Sequence, residues 1–500
     1  MDFVSLQLNK NLSIPLYLQL SSHIAELIKS GEIKPEEKLP PIRKLALELG
    51  VNNITVVNAY KELEGNGYIK GVKGSGYYVE RKGFNNEESL MTFSTIDENS
   101  YEDDDISLMT RGQISLTANT INFASVTPDP SIFPIDSFKA ALNEVLDRDK
   151  GFAFGYQESN GYEPLRETLC DFLYKHSRIN AQPEHIQIVS GAQQGIDIIG
   201  KALLNPGDYV VTENPTYNGA VAVFKSRGAK IIGVPMNSKG IDLSILEQQV
   251  ISYRPKLVYV MTKYQNPTTI SYSKEKLEGL LRLSEKYGFY IVEDDSLSGL
   301  SFENTNNDFS LKALDSKDKV IYIRSFSKLL MPGLRIGFIL TPEEILGKLL
   351  RAKHSTDISS SGLIQRALDV YFKKGQWEHH MNYMNEIYKS KYEAMIEELE
   401  KLKKYGVTFM EPKGGLNFWL TLPTGMEATK LYLECAKKDV LIVPCKIFYV
   451  NNFRNSDDTI RLSYAATNIN QIKNGMKILE QCISKLSSKS TERKYMSPMI

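Results

Sequence analysis

The sequence predicts an α/β fold: a large domain with a seven-stranded, mostly parallel sheet, a smaller α+β lobe, and an N-terminal helix-turn-helix. Three observations carry this. Continuous apolar runs suited to strands buried on both faces recur at 186–189, 209–212, 230–234, 257–261, 289–292, 320–323 and 336–340. Helical patterns separate most of them, for example Ile196, Ile199 and Leu203, then Leu277, Leu280 and Leu281, as a sheet joined by crossover helices requires. Before residue 83 the pattern changes to three helical stripes and a Gly-rich hairpin.

In the first eighty residues, Leu16, Tyr17, Leu20, Ile24, Leu27 and Ile28 fall at helical spacing after Pro15, and Gly31 and Pro35 end that helix. A second helix follows Pro41, with Ile42, Leu45, Ala46 and Leu49 on one face and Gly50 as its stop. A third begins near Asn52, its stripe formed by Val56, Val57, Tyr60 and Leu63. Two short helices across a tight Gly-containing turn are helix-turn-helix geometry. Residues 68–72 and 77–79 then flank Lys73, Gly74, Ser75 and Gly76, a hairpin whose basic tip can approach a phosphate backbone. Beyond the seven runs, 416–422, 440–443 and 459–464 read as strands of the small lobe.

Composition excludes several classes. With 42 % hydrophobic and 24 % charged residues over 500, the chain is not largely disordered. Sixty Lys and Arg balance sixty Asp and Glu, so no global basic field attracts nucleic acid. The balance is uneven along the chain. Residues 83–107 hold eight acids and no Lys or Arg, so 83–118 reads as an acidic linker, and 487–500 as a polar tail. Four scattered cysteines without a Cys-x-x-Cys pair argue against a disulfide framework or a metal site and for a reducing cytoplasm. No leader pattern and no apolar run of about 18 residues is visible, so no membrane span is expected.

The stretch LPPIRKLALELGVNNITVVNAYKELEGNGYIKGVKGSGYYV resembles the winged helix-turn-helix of the GntR family along its whole length. The resemblance implies a double-stranded operator DNA partner for domain 1–82. It places Arg43 on phosphate, Asn52, Asn53, Thr55 and Asn58 in the major groove, and Lys73, Gly74 and Ser75 at the wing tip. Asn52-Asn53 stands where the family often has Ser-Arg, which shifts the expected base preference from guanine towards adenine.

In the large domain, polar residues follow the predicted strand ends, where α/β sheets place ligands. They are Ser190-Gly191-Ala192-Gln193-Gln194-Gly195, Gln265-Asn266-Pro267-Thr268, Glu293-Asp294-Asp295-Ser296 and Ser325-Phe326-Ser327-Lys328, followed by Pro332-Gly333-Leu334-Arg335. An anion cradle, an amide, an acid and a lysine in this order resemble the fold-type I, class I/II aminotransferases over 119–486. The resemblance implies pyridoxal 5'-phosphate, with Lys328 as its Schiff-base lysine, Asp294 on the ring nitrogen and Asn266 on the ring hydroxyl. Ala192 and Gln193, with Ser325, Ser327 and Arg335, are implied for the phosphate. Tyr217 would stack on the ring, Tyr156 would reach the neighbouring subunit's phosphate, and Arg461 would clamp a carboxylate. Two positions depart from the family. Ser296 and Leu297 stand where a tyrosine commonly bonds the ring oxygen, and Thr269 replaces the glycine that ends Asn-Pro-Thr-Gly. The missing tyrosine implies weak or absent turnover with binding retained.

A GntR head joined to an aminotransferase-like domain resembles the MocR regulators. The function so implied is a homodimeric, cytoplasmic transcription regulator that senses an amino acid or related amine effector, or the cofactor itself, at Lys328. The alternative is a working aminotransferase that carries a winged helix.

Overall fold

The computed structural model describes residues 16–29, 33–34, 36–65, 68–72, 76–79, 120–302, 309–450 and 457–495. The linker 83–118, the wing-tip residues Lys73, Gly74 and Ser75, and the helix punctuators Pro15, Gly31 and Pro35 lie outside them. The chain divides into two compact units, Met1–Glu102 and Asp103–Ile500.

In the first unit the three stripes become α1 (Leu16–Lys29), α2 (Ile42–Leu49) and α3 (Asn53–Gly65). Gly50 ends α2 in the left-handed region at φ 61, where its missing side chain removes the steric penalty. Leu20, Ile24, Leu45, Val56, Tyr60 and Leu63 close one small core with Ile69 and Val79. The hairpin strands β1 (Ile69–Val72) and β2 (Gly76–Val79) pair antiparallel. Tyr60 Oη donates to the Pro40 carbonyl at 2.9 Å, and Gly71 N–H donates to Glu64 Oε1 at 2.7 Å. These bonds fasten α3 to the entry of α2 and to the wing.

The second unit is built on a sheet in the order β4-β11-β10-β9-β8-β5-β6-β7. Its strands are β4 (Ile186–Val189), β5 (Tyr209–Asn214), β6 (Lys230–Asn237), β7 (Gly240–Ile241), β8 (Leu257–Val260), β9 (Tyr290–Asp295), β10 (Val320–Ser325) and β11 (Gly337–Leu340). The seven expected strands are present, and the short β7 adds an eighth by folding back on β6. Pairings among β5, β6, β8, β9 and β10 are parallel. β11 runs antiparallel to both β10 and β4. A second sheet, β12-β13-β16-β15, belongs to the small lobe, and β14 pairs with β3 (Ile121–Asn122). Here β12 is Thr408–Phe409, β13 Asn417–Thr421, β14 Val440–Leu441, β15 Val443–Pro444 and β16 Thr459–Ser463. The expected strand 440–443 is thus divided between two sheets.

Two expectations need correction. Glu293, Asp294 and Asp295 are part of β9 rather than a turn after it, as are Arg324 and Ser325 of β10. Polar residues can extend a buried strand here because each carboxylate has hydrogen-bond partners. The last helix, Ile469–Tyr495, runs through Ser487, where a polar tail was expected to begin. Once nucleated, a helix gains one backbone bond for each residue added, so apolar spacing is not needed to continue it.

The tightest backbone approach in the sheet is at Gly337. A Cβ there would lie 2.6 Å from the Arg324 carbonyl and 3.3 Å from Gly191 Cα. Gly337→Ala should destabilise the protein by about 1–3 kcal/mol, as overpacking does, and a thermal melt should show a lower Tm.

Candidate functional site

Parallel strands deliver their carboxyl ends to one edge of the sheet, and the candidate residues gather there. At the end of β4, Gly191 takes φ 97 and caps the helix Ala192–Leu203 without a side chain. The N–H groups of Ala192 and Gln193 therefore open that helix, where an anion is favoured. Because β11 is antiparallel, it starts at this same edge, with Gly337 opposite Ser325 and Val189. Arg335, two residues before Gly337, donates to the Ser190 carbonyl at 2.5 Å. A Cβ on Gly191 would meet Arg335 Nη2 at 3.2 Å and Ser325 Oγ at 3.6 Å. Ser325 Oγ accepts from Ser327 N–H at 3.3 Å, and Ser327 Oγ is buried without a partner. Two free helix N–H groups, a guanidinium and an unsatisfied hydroxyl make a cradle suited to a phosphate.

Asp294 is buried at the end of β9. Its Oδ2 accepts from Tyr259 Oη at 2.7 Å and its Oδ1 from Ser296 Oγ at 2.9 Å. Burial pushes its carboxyl up to about 6, against the two hydroxyl donors, which favour the ionised form. Ser296, the departure from the family pattern, is thus a direct partner of Asp294. Tyr259 was not singled out from the sequence, because it sits inside the apolar run of β8 and reads as core.

Lys328 is partly buried, and its ammonium is pushed down to about 8, first by loss of water and then by Arg461 and Arg335. Tyr217 is held by its Oη bond to Gln193 Oε1 at 3.1 Å. Gly219 makes room for its ring, since a Cβ there would come within 2.4 Å of it. Burial raises the Tyr217 phenol to about 12, with Asp294, Arg335 and Arg461 all within electrostatic reach. Lys328, Asp294, Tyr217, Arg335 and Arg461 therefore share one neighbourhood.

Arg461 is buried on β16. Nη1 donates to Asn266 Oδ1 at 2.9 Å and Nη2 to the Ala124 carbonyl at 2.6 Å, while Nε has no partner. The pair orients the Asn266 amide and directs its N–H donors away from Arg461. The turn that carries Asn266 is fixed by Gln265, whose Nε2 reaches Glu213 and the Pro215 carbonyl and whose Oε1 accepts from Thr268. Glu213 is wholly buried, pushed up to about 8, and also accepts from Tyr272. Thr269 adopts φ 66, the left-handed region for which glycine is the usual choice. That explains the glycine the family places there.

Tyr156 does not join the cradle within one chain and is 88 % exposed. In the first unit Arg43, Asn53 and Asn58 are exposed and Thr55 is half-buried. Asn52 Oδ1 accepts from Ile54 N–H at 3.0 Å, so its side chain also caps α3. Ile54 is 65 % exposed beside these polar groups, an apolar residue the sequence reading passed over. Among the described residues no cluster of His, Cys, Asp or Glu could hold a metal ion, and no helix is long and apolar enough to cross a membrane.

Comparison with known proteins matches residues 112–479 to the class I and II aminotransferases and residues 16–79 to the bacterial regulatory proteins of the gntR family. The uncharacterized HTH-type transcriptional regulator YisV of Bacillus subtilis is 30 % identical over 96 % of this chain and 98 % of its own. The chain belongs to the MocR-type regulators. Aromatic-amino-acid aminotransferase 1 of Thermococcus litoralis is 32 % identical to this MocR-type chain over 73 % of it and 88 % of the enzyme. The Pyrococcus horikoshii kynurenine aminotransferase structure covers 79 % of this chain and 96 % of its own at TM-score 0.71 and 32 % identity. LysN of Thermus thermophilus, solved with N-(5'-phosphopyridoxyl)-L-leucine, covers 77 % of this chain and 95 % of its own at TM-score 0.70 and 31 % identity. The family's cofactor is pyridoxal phosphate, and the orphaned Ser327 hydroxyl, the Gly191 cradle and Asp294 fit it.

Lys328 must be neutral to attack a carbonyl. Cofactor capture by apoprotein should therefore quicken with pH, with a midpoint near pH 8. Arg461→Gln removes a positive neighbour, raises the lysine pKa and should move that midpoint to higher pH in stopped-flow absorbance.

Proposed function

We propose that this chain is a DNA-binding transcription regulator of the cytoplasm whose aminotransferase-like domain senses an amino-bearing small molecule, or pyridoxal phosphate itself, at Lys328. The observation that carries this is the presence in one chain of a GntR reading head and the set Lys328, Asp294, Asn266 and Arg461 beside an anion cradle. When bound, pyridoxal phosphate supplies an aldehyde carbon for an amine and a ring that withdraws electrons. Ala192, Gln193, Ser325, Ser327 and Arg335 hold the phosphate. Asp294 keeps the ring nitrogen protonated, Asn266 donates to the ring hydroxyl, and Tyr217 covers the ring face. Arg461 offers its unpartnered Nε and exchangeable Nη donors to an effector's carboxylate. Lys328, lowered towards neutrality, gives up its proton readily and competes with the effector's amine.

A second copy of the chain completes the arrangement. Phe152, Phe154 and Tyr156 are 83, 68 and 88 % exposed, an apolar patch that supports a homodimer in which Tyr156 reaches the partner's cradle. For DNA, Arg43 lies on phosphate, Asn53 and Asn58 read adenine, and Ile54 meets a thymine methyl. The acidic segment 83–118 links the two domains.

A working aminotransferase is the second reading, favoured by the intact lysine, acid and arginine and by the enzymes among the relatives. The two separate on one assay. A regulator shows an amino acid-dependent absorbance change without accumulation of keto acid, whereas an enzyme accumulates keto acid over many turnovers.

Effector and operator should influence each other by the same factor, since coupling is reciprocal. Equal effector affinity with and without an operator fragment selected from random DNA would falsify the sensor reading. Arg43→Ala should weaken specific and nonspecific DNA binding alike and reduce the salt slope by about one. Asn58→Ala should instead cost about 1–3 kcal/mol on the selected operator and little on nonspecific DNA.

A further inference from the structure

The helix Leu346–Asp357 carries a lysine with no exposed surface, Lys353. Its ammonium pairs with Asp357 one turn on and donates to Ser360 Oγ at 3.1 Å. The second oxygen of Asp357 accepts from Gln194 Nε2 at 2.9 Å, and Gln194 Oε1 accepts from Ser190 N–H at 2.7 Å. Arg335 already holds the Ser190 carbonyl. The N–H and the carbonyl of Ser190, the residue that leads into the cradle, are thus each fixed from outside the loop. The chain of bonds also runs the other way. Ser360 O accepts from Gln365 Nε2 at 2.9 Å, and Gln365 Oε1 accepts from Tyr162 N–H at 2.8 Å. His354 Nδ1 lies 2.8 Å from Ser159 Oγ. Both contacts end on the segment that bears Tyr156.

An ammonium taken wholly out of water does not favour stability unless its partners are well placed, and an apolar side chain of the same size fills such a space as well or better. Stability alone therefore does not call for a lysine here. Loop geometry does, because the Lys353 ammonium fixes one oxygen of Asp357 while the other oxygen orients Gln194. We propose that Lys353 is a positioning residue for the cofactor's phosphate: through Asp357 and Gln194 it sets the Ser190 loop, and through Ser360 and Gln365 it ties that loop to the Tyr156 segment. This rests on the reading of the cradle as the phosphate site.

The test compares Lys353→Met, Gln194→Leu, their double variant and Lys391→Met, which alters another buried lysine, on a different helix. Protein stripped of cofactor is titrated with pyridoxal phosphate and followed by absorbance, with a thermal melt as the control for folding. Lys353→Met and Gln194→Leu should each raise the Kd about tenfold, the scale on which outer contacts tune a bound group. The double variant should be no worse than the weaker-binding single, because both break one chain of bonds, and Lys391→Met should match the parent. Hydrogen exchange at the Ser190 amide should quicken in cofactor-free Lys353→Met. A parental Kd with unchanged exchange at Ser190, or strictly additive losses, overturns the proposal. Should Lys353→Met fail to fold, Gln194→Leu carries the same comparison from a half-buried position. If the parent itself binds no cofactor, the phosphate reading fails separately and the proposal with it, leaving exchange at Ser190 to decide only whether Lys353 sets the loop.

Discussion

A parallel sheet has one chemical edge, and this protein depends on where that edge lies. β5, β8, β9 and β10 all end there, so the turns that follow them meet without any long connection. The reversed β11 contributes by beginning where the others stop. Its antiparallel register places Arg335 against Ser190 and Ser325, which no parallel strand could do from the same stretch of chain. At Gly337 the Arg324 carbonyl comes too close for a side chain, and at Gly191 a Cβ would crowd the Arg335 guanidinium at 3.2 Å.

Three consecutive carboxylates on β9 show how one strand gives like groups different roles. Side chains alternate across a strand, so Glu293 and Asp295 face one way and Asp294 the other. Glu293 accepts from Thr262 and from the N–H groups of Leu311 and Lys312, anchoring a short helix. Asp295 accepts from Tyr322 and Arg324; burial pushes its carboxyl up, but Arg324 and Lys263 more than offset this and leave it low. Among the described residues Asp294 meets no cation, only two hydroxyls, and burial leaves it raised. A buried acid so placed suits a cationic partner.

The reading head follows different physics. Its core is small, and its distinctive groups are exposed, with no packing to fix them. Asn52 is exposed yet caps α3 through its Oδ1, whereas Asn53 and Asn58 are simply exposed. A side chain that supplies a helix cap contributes to the head's stability, so Asn52 has a structural use through its bond from Ile54 N–H.

By itself the sequence determined the architecture and the chemical inventory. Apolar runs of strand length and helical stripes between them follow directly from burial, whereas Lys328, Asp294, Asn266, Arg335 and Arg461, each with an ordinary structural reading when taken alone, stand out through their order along the chain and the resemblance to the aminotransferases. Tertiary structure alone decided which side chains serve those residues. Tyr259 looks like core until β8 and β9 are paired. Gln194 and Asp357 are 163 residues apart in the chain, too far for any local pattern to join. The reversal of β11 was equally hidden, since a buried strand reads the same in either direction. Periodicity records what each residue must avoid, water or burial, and only the packed chain records what each one meets.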